Sequence, residues 1–113
     1  MNGNIDQLIQ FIREHFVFEA AKYPELEGVS EDEHLKFAIR HIALHFAKTA
    51  GKITAVSENV DHGEPLNVAQ LKLNIAKSLI NTLRLAELVH LSEDDLQKMI
   101  RELLTSHPKN TTS

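Results

Sequence analysis

Three histidines near the middle of the chain have a spacing that can hold a metal ion. His34, His41 and His45 lie within twelve residues, in a chain of 113 residues that contains seven histidines. On a helix, separations of seven and four residues place the imidazoles on one face. His41 and His45 form an HxxxH pair, which binds a transition metal when a third ligand arrives from elsewhere. These three histidines are therefore the metal-ligand candidates.

A structural role for the same histidines is the preferred interpretation. Ile42 and Ala43 occupy the inner positions of the pair, so the glutamate of an HExxH motif is missing and zinc-protease chemistry is not indicated. Imidazoles at a helix or subunit interface, hydrogen-bonded to neighbours such as Glu31 or Glu58, need no metal.

Other chemical motifs are weak or absent. Ser57, Glu58, Asp61 and His62 form a polar cluster of the kind that loop composition usually produces. The sequence contains no GxSxG, GxxxxGKS or GxGxxG string, so a nucleophile elbow, a phosphate-binding P-loop and a dinucleotide fingerprint are not indicated. It also contains no cysteine, which excludes thiolate zinc sites and cysteine nucleophiles.

Charge and hydropathy bear on whether the chain binds nucleic acid or a membrane. Twelve basic and sixteen acidic residues give a formal charge of -4, and no block of Lys or Arg is present, so we expect no nucleic-acid partner. No apolar run has the length of a membrane span, and the first residues lack the basic region of a signal peptide. We expect a cytoplasmic protein without a membrane partner.

Apolar spacing predicts an all-α fold of four helices that would position these residues. The predicted helices cover 5–22, 31 to about 57, 67 to about 89 and 92–104. Ser30 with Glu33, and Asn67 with Gln70, have the spacing of N-terminal caps. We expect one helical domain over 1–105 and a flexible tail over 106–113.

Two features of the predicted helices indicate close packing. Gly51 interrupts the second helix, and the usual reason for an interior glycine is the close approach of another helix or a local bend. The third helix is apolar on more than one face, so we expect it to be central in the bundle or shared with another subunit. Its apolar residues are Leu71, Leu73, Ile75, Leu79, Ile80, Leu83, Leu85 and Leu88.

The third helix and the following turn resemble a known family. KSLINTLRLAELVHLSEDDL, residues 77–96, resembles the closing helix, turn and helix of the MazG-like all-α nucleoside triphosphate pyrophosphohydrolases. LHFAKTAGKI, residues 44–53, resembles the family's first motif, with Gly51 and Ile53 in the matching places. The resemblance covers roughly 31–104 and implies a four-helix bundle. We expect it to assemble as a dimer or tetramer through the third helix, which is apolar on more than one face.

The resemblance also implies a magnesium site whose ligands this chain lacks. In the family, two carboxylates at i and i+3 on each of two facing helices hold magnesium against the triphosphate. The matching positions are Thr49 and Lys52 on one helix and Asn74 and Lys77 on the other. A shift of the alignment by one turn recovers no Asp or Glu. We therefore expect a degenerate active site and no resident cofactor.

Two interpretations of the lysines follow. In the preferred one, Lys52 and Lys77 extend into solvent from a structural bundle. In the other, their ammonium groups replace the charge of the metal and, with Thr49 and Asn74, bind a phosphate or nucleotide without hydrolysis.

The leading functional expectation is a MazG-like protein without efficient hydrolysis, acting as a nucleotide-binding or phosphate-binding module or as an oligomeric partner. One alternative is an active pyrophosphohydrolase with replacement ligands among His41, His45, Glu58 and Asp61. Another is a structural helical adaptor.

Overall fold

Four α-helices form the part of the chain that the computed structural model describes, residues 3–106. They are α1 (Asn4–His15), α2 (Glu31–Asp61), α3 (Val68–Leu88) and α4 (Glu93–Ser106), with a 3₁₀ turn at Pro24–Leu26. No strand occurs within residues 3–106, so the all-α prediction is confirmed. Ser106 belongs to α4, and the rest of the predicted tail, 107–113, lies outside the described residues.

Side-chain caps begin α2 and α3 where the sequence predicts them. The Ser30 hydroxyl accepts a hydrogen bond from the Glu33 N–H at 3.1 Å, and the Asn67 side chain accepts one from the Gln70 N–H at 3.0 Å. Each bond satisfies an N–H group that has no partner inside its own helix. The start of both central helices is therefore encoded locally.

The N-termini of α1 and α4 cap each other. The Glu93 carboxylate accepts a hydrogen bond from the Ile5 N–H at 2.7 Å, and the Asp6 carboxylate accepts one from the Glu93 N–H at 2.9 Å. Both carboxylates also lie at the positive end of a helix dipole. This contact joins the starts of two helices that are remote in sequence.

The predicted first helix is too long, because α1 ends at His15 and not at Lys22. Phe18 leaves the helical path and packs edge-on against Phe37 and His41, with ring centroids 6.2 and 5.4 Å apart. Aromatic packing of this kind outweighs the helix propensity of the stretch.

The two long helices, α2 and α3, form the centre of the molecule. The short connection 62–67 makes them antiparallel neighbours, and α2 continues to Asp61, beyond its predicted end near Ser57. Their buried side chains are Ala38, Ile42, Thr49 and Val56 on α2 and Asn74, Leu83, Arg84 and Ala86 on α3.

Gly51 does not mark a close helix contact. It is exposed on α2, and no heavy atom lies within 4 Å of the place where a Cβ would stand. The expectation that another helix approaches at this glycine is wrong.

The apolar surface of α3 is only partly covered. Leu83 and Ala86 are buried, whereas Leu73, Ile75 and Leu79 are 46, 54 and 44% exposed. Helices α1 and α2 both pack on α3, but they leave these three side chains open to solvent. Between residues 3 and 106, no helix is long and apolar enough to cross a membrane.

Candidate functional site

A cavity of about 540 Å³ lies between α2, α3 and the irregular segment that follows α1. Small-molecule sites have volumes of about 300–1,000 Å³, so this cavity is large enough for a ligand of metabolite size. One face of α2 forms its first wall, because the lining residues recur at helical spacing. They are His41, Ile42, His45, Lys48, Thr49 and Lys52.

Helix α3 supplies the opposite wall. Lys77, Ile80, Asn81 and Arg84 line the cavity and follow one another by three or four residues, which places them on one side of the helix. Because α2 and α3 are antiparallel, Lys77 lies toward the Lys52 end of the cavity. Arg84 lies toward the other end.

The segment after α1 forms a third, largely apolar wall. The cavity is lined there by Phe16, Val17, Phe18, Lys22 and Tyr23, together with His15, the last residue of α1. The carbonyl oxygen of Phe18 accepts a hydrogen bond from His34 Nε2 at 2.8 Å, which holds the segment against α2. Sequence reasoning missed this wall because the same residues fit a helical pattern. The aromatic residues that precede Pro24 were the available signal.

The charges that line the cavity have one sign. Four lysines and one arginine supply the charged groups of the wall, and no aspartate or glutamate is among the described residues that line it. A concave site lined by cations concentrates the electrostatic field and attracts anions. Lys22, Lys48 and Arg84 were not predicted as site residues. The signal for Lys48 was its position seven residues after His41, on the same helix face.

Arg84 is the buried cation of this wall, with 7% of its surface exposed. Its guanidinium forms an ion pair with Glu87 and lies over the Phe18 ring, 5.2 Å from the centroid. Within the described residues, Arg84 Nε makes no hydrogen bond. A buried donor without an acceptor costs free energy, so an added acceptor at this position is favoured.

The four motif positions are placed differently. Thr49, Lys52 and Lys77 line the cavity, whereas Asn74 does not. Asn74 is 1% exposed, and its amide donates a hydrogen bond to the Gln70 carbonyl at 2.8 Å. The structure therefore brings three of the four predicted ligand-binding residues together and leaves Asn74 inside the helix packing.

The three candidate histidines do not meet at one point. His41 and His45 line the cavity with their Nε2 atoms 3.2 Å apart, while His34 bonds the Phe18 carbonyl. Within residues 3–106, no group of three or more His, Asp or Glu side chains is placed to hold a metal ion. The structure therefore offers no common centre for a metal ion bound by all three histidines, and that site stays a prediction.

The other proposed replacement ligands lie away from the cavity. Neither Glu58 nor Asp61 is among its lining residues. Along α2, Asp61 is about 13 Å beyond Lys52, at about 1.5 Å per residue. Of the four replacement ligands considered from the sequence, only His41 and His45 reach the site.

Comparison of the chain with protein-family models, with curated proteins and with solved structures gave no match. The resemblance to the MazG-like group therefore rests on the sequence motifs of α2 and α3.

Proposed function

We propose that this chain is a binding module for nucleotides or related phosphate-bearing small molecules. We further propose that it derives from the MazG-like pyrophosphohydrolases and lacks efficient magnesium-dependent hydrolysis. The proposal rests mainly on one observation, the cavity whose charged lining is entirely cationic where the resemblance places a metal site.

Phosphate is the anion that fits the lysine end of the cavity. Lys52 and Lys77 project from facing helices, so an anion between them is contacted from two sides. Lysine ammonium groups act as mobile point charges that follow phosphate oxygens. Of the two interpretations of these lysines, the shared cavity favours anion binding over a purely structural role.

The opposite end of the cavity suits a planar ring. Phe18 and Tyr23 line it, and their ring centroids are 5.4 Å apart. Aromatic faces stack on a nucleobase with a free energy of about 1–3 kcal/mol per base. From His41 to Lys52, α2 rises about 16 Å at about 1.5 Å per residue, which favours a nucleoside diphosphate or triphosphate over free phosphate.

Magnesium does not fit the donor atoms of this wall. The ion prefers hard oxygen ligands, chiefly carboxylates. The described lining offers the Tyr23 and Thr49 hydroxyls and the Asn81 amide but no carboxylate. We therefore expect the lysines to neutralise the phosphates, and magnesium in solution to compete with the protein for them.

An active pyrophosphohydrolase is the second candidate, and one observation favours it. His41 and His45 both reach the cavity and can bring a transition metal to a bound phosphate. Metal-dependent release of pyrophosphate that is lost in a His45→Ala variant would establish this alternative.

We also propose that the chain forms a homodimer or tetramer in the cytoplasm. Exposed apolar side chains of α3 and α4 offer the contact surface. They include Leu73, Ile75, Leu79, Met99, Ile100, Leu103 and Leu104. A structural adaptor would use the same surface for a different protein.

A calorimetric titration with ADP and ATP tests the proposed function. We expect saturable binding in EDTA and weaker binding when magnesium is in excess, because the metal removes charge from the phosphates. Heat of binding that appears only with magnesium would contradict the proposed mode. No heat under either condition would exclude nucleotide binding.

A further inference from the structure

The imidazole rings of His41 and His45 bring their two Nε2 atoms close together. Their Nε2 atoms are 3.2 Å apart, and their ring centroids are 4.7 Å apart. The two residues are separated by one turn of α2, so a continuous helical backbone fixes their spacing. Both side chains line the cationic cavity.

The 3.2 Å between the two Nε2 atoms is close to the distance between two imidazole nitrogens that bind one metal ion. Imidazole nitrogens bound at about 2.0–2.1 Å to a tetrahedral ion lie about 3.3 Å apart. A hydrogen bond between two neutral imidazoles gives a similar distance, with one Nε2 protonated and the other accepting. A metal ion that takes the place of the shared proton would therefore need little movement of either ring.

We infer that His41 and His45 chelate one divalent transition-metal ion, such as zinc or copper, at the wall of the cavity. Imidazole nitrogen is a preferred ligand for these ions and a poor one for magnesium. His45 is exposed, so the ion has a path to the pair from solvent. His34 takes no part, because its Nε2 is used by the Phe18 carbonyl.

The remaining coordination positions face the cavity and take oxygen ligands from outside the described chain. Within residues 3–106, no third His, Asp or Glu joins the pair. A water molecule or a phosphate oxygen completes the site, and the second of these rests on the proposed function. Lys48 lines the same cavity and repels a lone divalent cation. A bound anion offsets this repulsion, so metal and phosphate increase each other's affinity by the same factor.

The test uses the full chain without an affinity tag. Zinc chloride alone is titrated by calorimetry into the wild-type protein, the His45→Ala variant and the His62→Ala variant. His62 follows α2 and does not line the cavity, which makes it the matched control. We expect one zinc site per chain, at least about tenfold weaker in His45→Ala because one of two protein ligands is gone, and unchanged in His62→Ala.

Electron paramagnetic resonance of the copper-loaded protein gives a second reading that does not depend on affinity. We expect hyperfine coupling to two imidazole nitrogens in the wild type and to fewer in His45→Ala. Equal zinc affinity and an unchanged copper spectrum in His45→Ala would overturn the inference.

Pyrophosphate titrated into the EDTA-treated protein separates this inference from the proposed function. If the protein binds pyrophosphate but does not bind zinc, the metal site is contradicted and the proposed function is not. Zinc binding that requires His45, in a protein that binds neither pyrophosphate nor ADP, would support the chelate and contradict the proposed function.

Discussion

At the scale of single residues, lysine stands at two of the positions where the proposed MazG-like ancestry implies acidic metal ligands. Lys52 and Lys77 stand at two of the four motif positions and reach one cavity from different helices. Arg84 adds a buried guanidinium held by Glu87 and Phe18. An anion in this cavity meets mobile lysine charges at one end and, at the other, a guanidinium that is already paired with Glu87.

The substitution Lys77→Gln is expected to weaken ADP binding by at least about tenfold, because one charge-assisted contact of about 1.5–3 kcal/mol is removed. Lys72→Gln is the matched control, since Lys72 is exposed on the same helix and does not line the cavity. Calorimetry in EDTA measures both. Equal losses in the two variants would show that only net charge matters and would contradict a site at Lys77.

The sequence predicted part of this site. The resemblance to the MazG-like motif identified Thr49, Lys52 and Lys77 as candidate ligand-binding positions. It could not show that Asn74 turns into the helix packing, since its orientation depends on how α3 sits against α2. It also could not bring Lys22 and Phe18 to the cavity, because their position depends on where α1 ends.

At the scale of helices, α2 contains a glycine whose place no contact explains. Gly51 is exposed within the helix, and the space around its missing Cβ is open. Gly51→Ala is therefore expected to raise the free energy of unfolding by about 0.5–1 kcal/mol, through the higher helix propensity of alanine. Urea denaturation followed by circular dichroism measures the change. A destabilised variant would indicate that α2 needs the flexibility of glycine at this position.

The start of α4 depends on the ionisation of Asp95. A hydrogen bond from the Ser92 backbone N–H to the Asp95 carboxylate, at 3.0 Å, and the Ser92 side chain hold the pKa of Asp95 below its ordinary value of 3.8. A lowered pKa means that this carboxylate stabilises the fold fully above pH 3.8. The contribution is lost as the pH falls through the lower, folded pKa.

Asp95→Asn is therefore expected to lower stability at pH 7, with a difference from the wild type that shrinks as the pH falls below about 3.8. Asp94→Asn removes the same charge from the same helical turn and leaves the Ser92 contact in place. Thermal unfolding from pH 7 to pH 3 compares the three proteins. A difference between wild type and Asp95→Asn that is the same at every pH would contradict the role of the charge.

Helix starts were predicted well because their caps are local, as at Ser30 and Asn67. The end of α1 was predicted poorly for the opposite reason. Phe18 leaves the helix to reach Phe37 and His41, which lie on another helix, and no pattern within 5–22 encodes that contact.

At the scale of the whole molecule, apolar surface remains open after the chain has folded. Ile75 and Leu79 on α3 and Ile100 and Leu103 on α4 are each at least 44% exposed. Exposed apolar patches on a folded domain commonly mark contacts with another protein. We propose self-association because the described part of the chain leaves these apolar side chains exposed.

Leu79→Glu is expected to convert the proposed oligomer to a monomer, because a charge placed in an apolar contact must be desolvated. Leu44→Glu is the control, since Leu44 is 67% exposed and belongs to α2, not to either helix of the proposed contact. Sedimentation equilibrium of the three proteins measures the mass of each. A wild-type protein that is monomeric at tens of micromolar would contradict the proposed oligomer.

The most direct test of the central claim is a crystal structure of the chain grown with a nucleoside diphosphate and EDTA. The proposed function predicts that the phosphates lie between Lys52 and Lys77 and that the base lies near Phe18, with no metal ion bridging the phosphates. A nucleotide bound elsewhere, or an unchanged cavity at saturating nucleotide, would contradict it.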